Sequence, residues 1–364
     1  MSWLRLGLVL TALVLAAAPL PSRLVEAWYS RGIYPVLQAA VTSVSNRVPI
    51  ALFDIAVLVL VAALGIGFWR RARAAGILPA LTSGVVTLLT VTAVVFLLFS
   101  GLWGLNYRRV PLEQKLEYDR TRVTREAALR LAGYALREVN GLYGSAHGSD
   151  LGSATGTTVG IDGRPAASAD PPGPSLETAF ASAQRILGSE RLAVPGVPKR
   201  SLLERYFRVA AIDGMTDPFF LEIILNPDTL PFERPFVLLH EWAHLAGYAN
   251  ESEANFVAWL ACAQGDAMAK YSGWLVIFEH AAASLPRTDR AQLTSQLAAG
   301  PRRDLQAAAA RYARASPVVR TAARDVYDTY LRANRVSDGV ASYTAVIRLM
   351  LGAGLEDGGG PRLR

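Results

Sequence analysis

From Ala74 to Tyr107 the chain carries no charged residue, and Thr82 to Leu102 is almost wholly Val, Leu, Thr and Phe. A helix of roughly 20 apolar residues crosses a bilayer, so a span is expected over about 82–103. Pro49 to Trp69 is a second stretch of spanning length, interrupted only by Asp54 near its start. Arg70, Arg71 and Arg73 separate the two, in a gap too short for a domain. The pattern predicts a membrane hairpin, 49–69 and 82–103, with Asp54 facing interfacial water. Upstream, the apolar stretch Leu6–Leu20 after Arg5 fits a secretory signal peptide or a short first transmembrane helix over about 4–20. The uncleaved helix is the preferred reading. Between it and the hairpin, about 28–48 reads as an amphipathic helix lying at the interface.

From residue 108 to 364 the pattern is that of a soluble, mostly helical domain. Thr124 suits an N-cap for a helix running to about Asn140, with Leu129, Leu131, Leu136 and Val139 among its apolar positions. Residues 144–174 are rich in Gly, Ser, Ala, Asp and Pro and read as a flexible insertion, with His147 a solvated loop residue. A helix should begin at Ser175, and another at Ser316-Pro317. The clearest strand signals are Tyr206–Ile212 and Phe219–Leu225. The expected fold is therefore mostly α, with a small β-sheet in an α+β part behind the N-terminal transmembrane helices. The positive-inside rule puts Arg70–Arg73 and Arg5 in the cytoplasm. Three crossings then leave everything after Leu105 outside it, at a cell (inner or plasma) membrane.

Composition narrows the classes. The chain is 52% hydrophobic and 18% charged, against about 25% charged in an ordinary soluble domain; the lipid bilayer is its first expected partner. A single cysteine, Cys262, allows neither an intramolecular disulfide nor an all-cysteine metal site. The net charge is +7, but no basic run is interleaved with aromatics, so nucleic-acid binding is not expected.

Four histidines occur, and two fall in His240-Glu241-Trp242-Ala243-His244. Histidines at i and i+4 put two imidazoles on one helix face, as a zinc ion requires, and the carboxylate between them sits beside the metal. There Glu241 can act as a general base on water. Shuffling this composition produces the pattern on the order of one time in a thousand. The helical context is good: Pro235 suits a first turn, Phe236 to Leu239 bury the helix, and Gly247 can end it. A third ligand is needed. If a helix restarts at Asn250, Glu251 and Asn255 share one face and Glu253 points about 200° away. Glu251 is the preferred ligand and Glu253 the alternative; Asn255 would hold a ligand histidine from behind.

His-Glu-x-x-His followed by Glu-x-x-Ala-Asn resembles the gluzincin superfamily, whose downstream motif usually ends in Asp where this chain has Asn255. The gap from His244 to Glu251 is also shorter than in thermolysin-like members. More closely, the chain resembles an uncharacterised family of bacterial multi-pass proteins, through Trp103–Tyr107, His240–Cys262 and Asp338 to Tyr343. The resemblance implies a membrane-anchored zinc-dependent peptidase acting on a peptide or protein. It also implies an edge strand that lines the cleft, for which Phe219–Leu225 is the candidate; an internal strand fits that run equally. An oxyanion donor is expected among Tyr343, Tyr248 and His280, with Tyr343 leading because the resemblance includes it. The competing class is a non-enzymatic membrane scaffold, or pseudo-peptidase, with a structural zinc site. A carboxylate at 241 has no use there. A transporter is disfavoured, since three helices with few intramembrane polar groups make no evident pathway.

Overall fold

The computed structural model describes residues 3–148, 174–334, 345–356 and 360–364. Helix α1 (Trp3–Ala17) is followed, after a bend of 110°, by α2 (Ser22–Ser45), whose segment Val25–Ile33 is π-helical. Then come α3 (Leu52–Ala75) and α4 (Ile77–Leu102), both long and apolar enough to cross a membrane. At 15 residues, α1 is roughly 22 Å long, short of the ~30 Å hydrocarbon layer. It packs along α4, and the Arg108 guanidinium closes its C-terminus by donating to the carbonyls of Leu15, Ala16 and Ala18. The two helices thus run in the same direction, with Arg5 at the end that carries the arginine cluster.

That cluster is not in a loop. Helix α3 continues through Arg70, Arg71 and Arg73, and Gly76 alone, at φ +86°, makes the turn. Arginine is a good helix former and suits the negative end of the helix dipole; Arg73 also lies 4.3 Å over the Trp69 ring. At the other end, the Asp54 carboxylate accepts from Ser201 Oγ and the Leu202 amide at 3.0 and 2.7 Å. The amides of Leu52 and Phe53 donate to the Glu222 carboxylate at 3.2 and 2.8 Å. These first-turn amides have no partner within their own helix.

Helix α2 is amphipathic, but its polar side faces the protein. Gln38, Thr42 and Ser45 are buried while Trp28, Ile33, Val36 and Val44 are exposed. Tyr34 donates to the Leu245 carbonyl, Gln38 to Val194, Thr42 to Leu221 and Asn46 to Pro195. Tyr29 and Tyr34 belong to the same core as the helices beyond residue 108.

Those helices are α5 (Arg125–His147), α6 (Pro174–Ile186), α7 (Glu204–Ala210), α8 (Arg234–Leu245), α9 (Glu251–Ala263), α10 (Ala267–Ser284), α11 (Arg287–Ser295), α12 (Ala299–Ala313), α13 (Pro317–Ala333) and α14 (Ala345–Gly352). Thr124 caps α5 and Ser316 caps α13, accepting from the amides of Ala127 and Val319. Helix α9, buried from Glu253 to Cys262, is the centre of the core, and α5 and α10 pack along each other beside it. His147 closes α5 instead of lying in a loop: it stacks on Tyr143 and its Nε2 is 3.2 Å from Asp304. The remainder of the insertion 144–174 lies outside the described residues up to Pro174.

The sheet has three strands, β1 (Pro198–Lys199), β2 (Gly214–Asp217) and β3 (Glu222–Leu225), in the order β1-β3-β2. β1 is parallel and β2 antiparallel to β3. Two strand expectations change. Tyr206–Ile212 is mostly helix α7, with Phe207 and Ala210 buried three residues apart and Tyr206 and Val209 exposed; short apolar runs do not separate the two periodicities. Of Phe219–Leu225, only Glu222–Leu225 is strand, and it is the internal one; the edge strands are β1 and β2. Before it, Asp217 accepts from the Phe220 amide at 2.6 Å and Leu221 takes φ +49°, making a turn.

Candidate metal centre

Helix α8 carries the His-Glu-x-x-His sequence, with Pro235 in its first turn and Gly247 beyond its end at φ +83°. The Tyr248 amide returns to the Ala243 carbonyl and that of Gly247 to His244, which closes the helix. The same turn has a chemical consequence. It brings the Tyr248 carbonyl to 2.8 Å from His244 Nδ1, so Nδ1 donates there and Nε2 is left with its lone pair pointing inward.

Three residues later α9 begins, with Asn250 as N-cap accepting from the Ser252 amide. Its first residue, Glu251, is 1% exposed and points at the two histidines. His240 Nε2 and His244 Nε2 are 3.1 Å apart, and the Glu251 carboxylate lies 3.3 and 3.6 Å from them. Donor atoms of the three residues fall within 4.8 Å of one another. Two nitrogens held tetrahedrally at about 2.0–2.1 Å from zinc would be roughly 3.3 Å apart, close to the spacing here. Two imidazoles and a carboxylate are a fitting donor set for zinc, and Glu251 Oε2 is buried without a hydrogen bond.

The electrostatics agree with that chemistry. Burial pushes His244 down to about 4, so it is neutral. Burial would raise Glu251, but His244, His240 and the Tyr327 hydroxyl outweigh it and hold the carboxyl at about 2. Desolvation likewise opposes charge on His240, yet the adjacent Glu251 raises its pKa. Asn255, one turn beyond Glu251, is a hydrogen-bonding neighbour of His240. Glu253 is elsewhere: its carboxylate accepts from the Leu112 amide at 2.6 Å, on the far side of α9.

Glu241 is buried beside the trio rather than in it, its carboxylate held at 2.8 Å by the Thr216 hydroxyl of β2. Desolvation pushes its pKa up to about 7, against the pull of His240 and Thr216. Gly214 lies opposite; a Cβ there would be 2.7 Å from Glu241 Oε1. β2 therefore forms the wall of the centre along α8. The other wall is α13. Its Tyr327 hydroxyl donates to Glu251 Oε1 in a short contact, and Tyr330 meets Phe99 and Tyr107 edge-on.

Of the expected oxyanion donors, Tyr343 lies outside the described residues. The Tyr248 ring is under the Arg109 guanidinium, 4.8 Å away, and faces it rather than the trio. His280, on α10, is lowered to about 4 by burial and by His240. Sequence reasoning missed Tyr327 and Thr216. Only the spacing Tyr327, Tyr330, Leu331 could have pointed to an inward face of α13; nothing singled out Thr216.

A family model described as "Protein of unknown function (DUF3810)" matches residues 29–351. The chain belongs to this family. The DUF3810 match takes in most of α2, the hairpin and the metal-centre helices together. No curated protein and no solved structure matches the chain.

Proposed function

We propose that this DUF3810 member is a membrane-anchored zinc metallopeptidase whose centre is His240, His244 and Glu251 with Glu241 as general base. The observation that carries the reading is the division of labour among four adjacent groups. Three offer lone pairs to one point, while the fourth, Glu241, is held off it by Thr216 with its carboxyl at about 7. A pKa near the working pH is what a general base needs. Zinc, when bound, would supply a Lewis acid that polarises the scissile carbonyl and makes water acidic. The residues do the rest. Tyr248 O and Asn255 orient the two imidazoles, Glu241 takes the water's proton and hands it to the leaving amine, and Thr216 fixes the carboxylate that does so. Among the described residues Tyr327 is the phenol that touches the trio, and beside Tyr343 it is our candidate for steadying the oxyanion.

The orientation we infer puts Arg5 and Arg70–Arg73 in the cytoplasm and the centre on the opposite side of the cell membrane. The test is the full-length protein in detergent or liposomes, assayed for zinc content and for cleavage of a peptide library. Stoichiometric zinc with hydrolysis that disappears in Glu241→Gln supports the reading. Zinc bound with no hydrolysis, and a Gln variant that still complements a deletion strain, would make the site structural.

A further inference from the structure

The metal centre is built onto the end of a membrane-length helix. Trp103, the residue that ends α4, donates its indole N–H to the His244 carbonyl at 3.0 Å, and the two rings are 6.1 Å apart. One turn back, Phe99 packs on Tyr330 of α13, the helix whose Tyr327 touches Glu251. Helix α4 has 26 residues and is thus roughly 39 Å long, against ~30 Å of hydrocarbon. The excess length carries an end of the helix past the hydrocarbon, and Trp103, buried in the protein core, joins that end to the centre.

The opposite wall of the cleft reaches the same plane. β2 leads into the turn holding Phe219, which stacks on Phe53 in the first turn of α3 at 6.3 Å. Asp54 and Glu222 fasten that helix end to the sheet. Both walls around Glu241 are thus tied to the ends of membrane helices. The surface on this side is apolar: α2 turns Trp28, Ile33, Val36 and Val44 outward at 56–71% exposure, and Leu202 beside Asp54 is 70% exposed. Such a face with buried polar backing suits a bilayer surface.

Resting on the peptidase reading, we propose that the substrate is a polypeptide tethered to the bilayer and cut in the stretch next to its anchor. A centre this close to the headgroups, on the order of 10–15 Å from the hydrocarbon edge, is reached by about three to five extended residues. A long flexible tether spends little time there, and a folded soluble protein is held away by the membrane itself. A transmembrane helix and an acyl chain would serve equally as the anchor, since the cleft meets only the adjoining peptide.

The experiment uses full-length, zinc-loaded protein in liposomes and one randomised twelve-residue peptide library in four forms. The library is joined directly to a single transmembrane helix, directly to a palmitoyl chain, to the same helix through a 40-residue Gly/Ser spacer, or left soluble. The directly joined forms should be cut at least about tenfold faster than the spaced form, with cuts mapped by mass spectrometry within about ten residues of the anchor. The first two arms separate a protein anchor from a lipid one. Because the spaced form shares the membrane, its deficit cannot come from co-localisation. Equal rates for the spaced and directly joined forms, or for the soluble form, would overturn the inference and leave the peptidase standing. No cleavage in any arm by zinc-loaded protein would remove the peptidase reading itself.

Discussion

Helix α9 carries a buried polar cluster on each of two faces, and they are built differently. On one face Glu253 accepts from Leu112 and lies in the field of Arg109 and Lys115, which both bind Glu26. Arg109 also donates to the Gly247 carbonyl and covers Tyr248. Two carboxylates meet two cations, and protein atoms complete the set. On the other face Glu251 meets two imidazoles and a phenol, and Glu251 Oε2 lacks a hydrogen bond. Buried charge is tolerated when compensated and costly when it is not. The first cluster is a brace closed by protein groups, while the second converges donor atoms of three side chains on one point, as the proposed metal site requires.

The sharpest way to break this contrast is to remove the donors. His240→Ala, His244→Ala and Glu251→Ala should each lower zinc affinity by orders of magnitude, read as metal per protein after dialysis, while Glu253→Ala retains it. Zinc kept by Glu251→Ala and lost from Glu253→Ala would exchange the roles of the two faces. Next in size, Glu241→Gln should leave zinc and folding intact and lower hydrolysis by about 10²–10⁴-fold. Tyr327→Phe and Asn255→Leu act through the ligands they touch and should weaken zinc binding by about 10–100-fold, measured by competition with a chelator. Unchanged affinity in both would mean that the trio holds its geometry unaided.

The finished cluster predicts a different outcome. Glu253→Ala strands the Leu112 amide and should cost about 1–3 kcal/mol, seen as a lower unfolding midpoint with zinc stoichiometry unchanged. A separate effect, confined to pH dependence, concerns Asp217 on β2, which burial pushes from 3.8 up to about 7. The folded state keeps a proton that the unfolded chain releases near 3.8, so stability falls as pH rises from about 4 to about 7. Asp217→Asn keeps an acceptor for the Phe220 amide and should flatten that slope; an unchanged slope would assign it to another group.

Much of the centre was legible because its logic is local. Histidines four apart, a capped restart at Asn250 and the 200° between Glu251 and Glu253 are properties of helices, which translate sequence spacing into direction. The charge-free runs were equally readable, since a span needs only length and apolarity. What escaped depended on contacts from far along the chain. Thr216 meets Glu241 across 25 residues and Tyr327 meets Glu251 across 76, and no spacing rule connects them. The strand expectation at Tyr206–Ile212 failed where a short apolar run carries no decisive period. At Arg70 charge ends the hydrophobic run without ending the helix, which continues to Ala75. Helix α2 was read as amphipathic, but periodicity alone does not say which side meets the protein.

That reversed helix also sets a timetable. Tyr34, Gln38, Thr42 and Asn46 find their partners 149–211 residues later in the chain. At the roughly 5–20 residues per second of protein synthesis, about ten to forty seconds pass between the emergence of α2 and that of the carbonyls it serves. During that interval the helix has a wet side with no protein to meet and a greasy side already at the lipid. Helix α2 is therefore made well before the segments that complete it. A chain interrupted before Val194 would display Gln38 and Thr42 as the mark of an unfinished molecule.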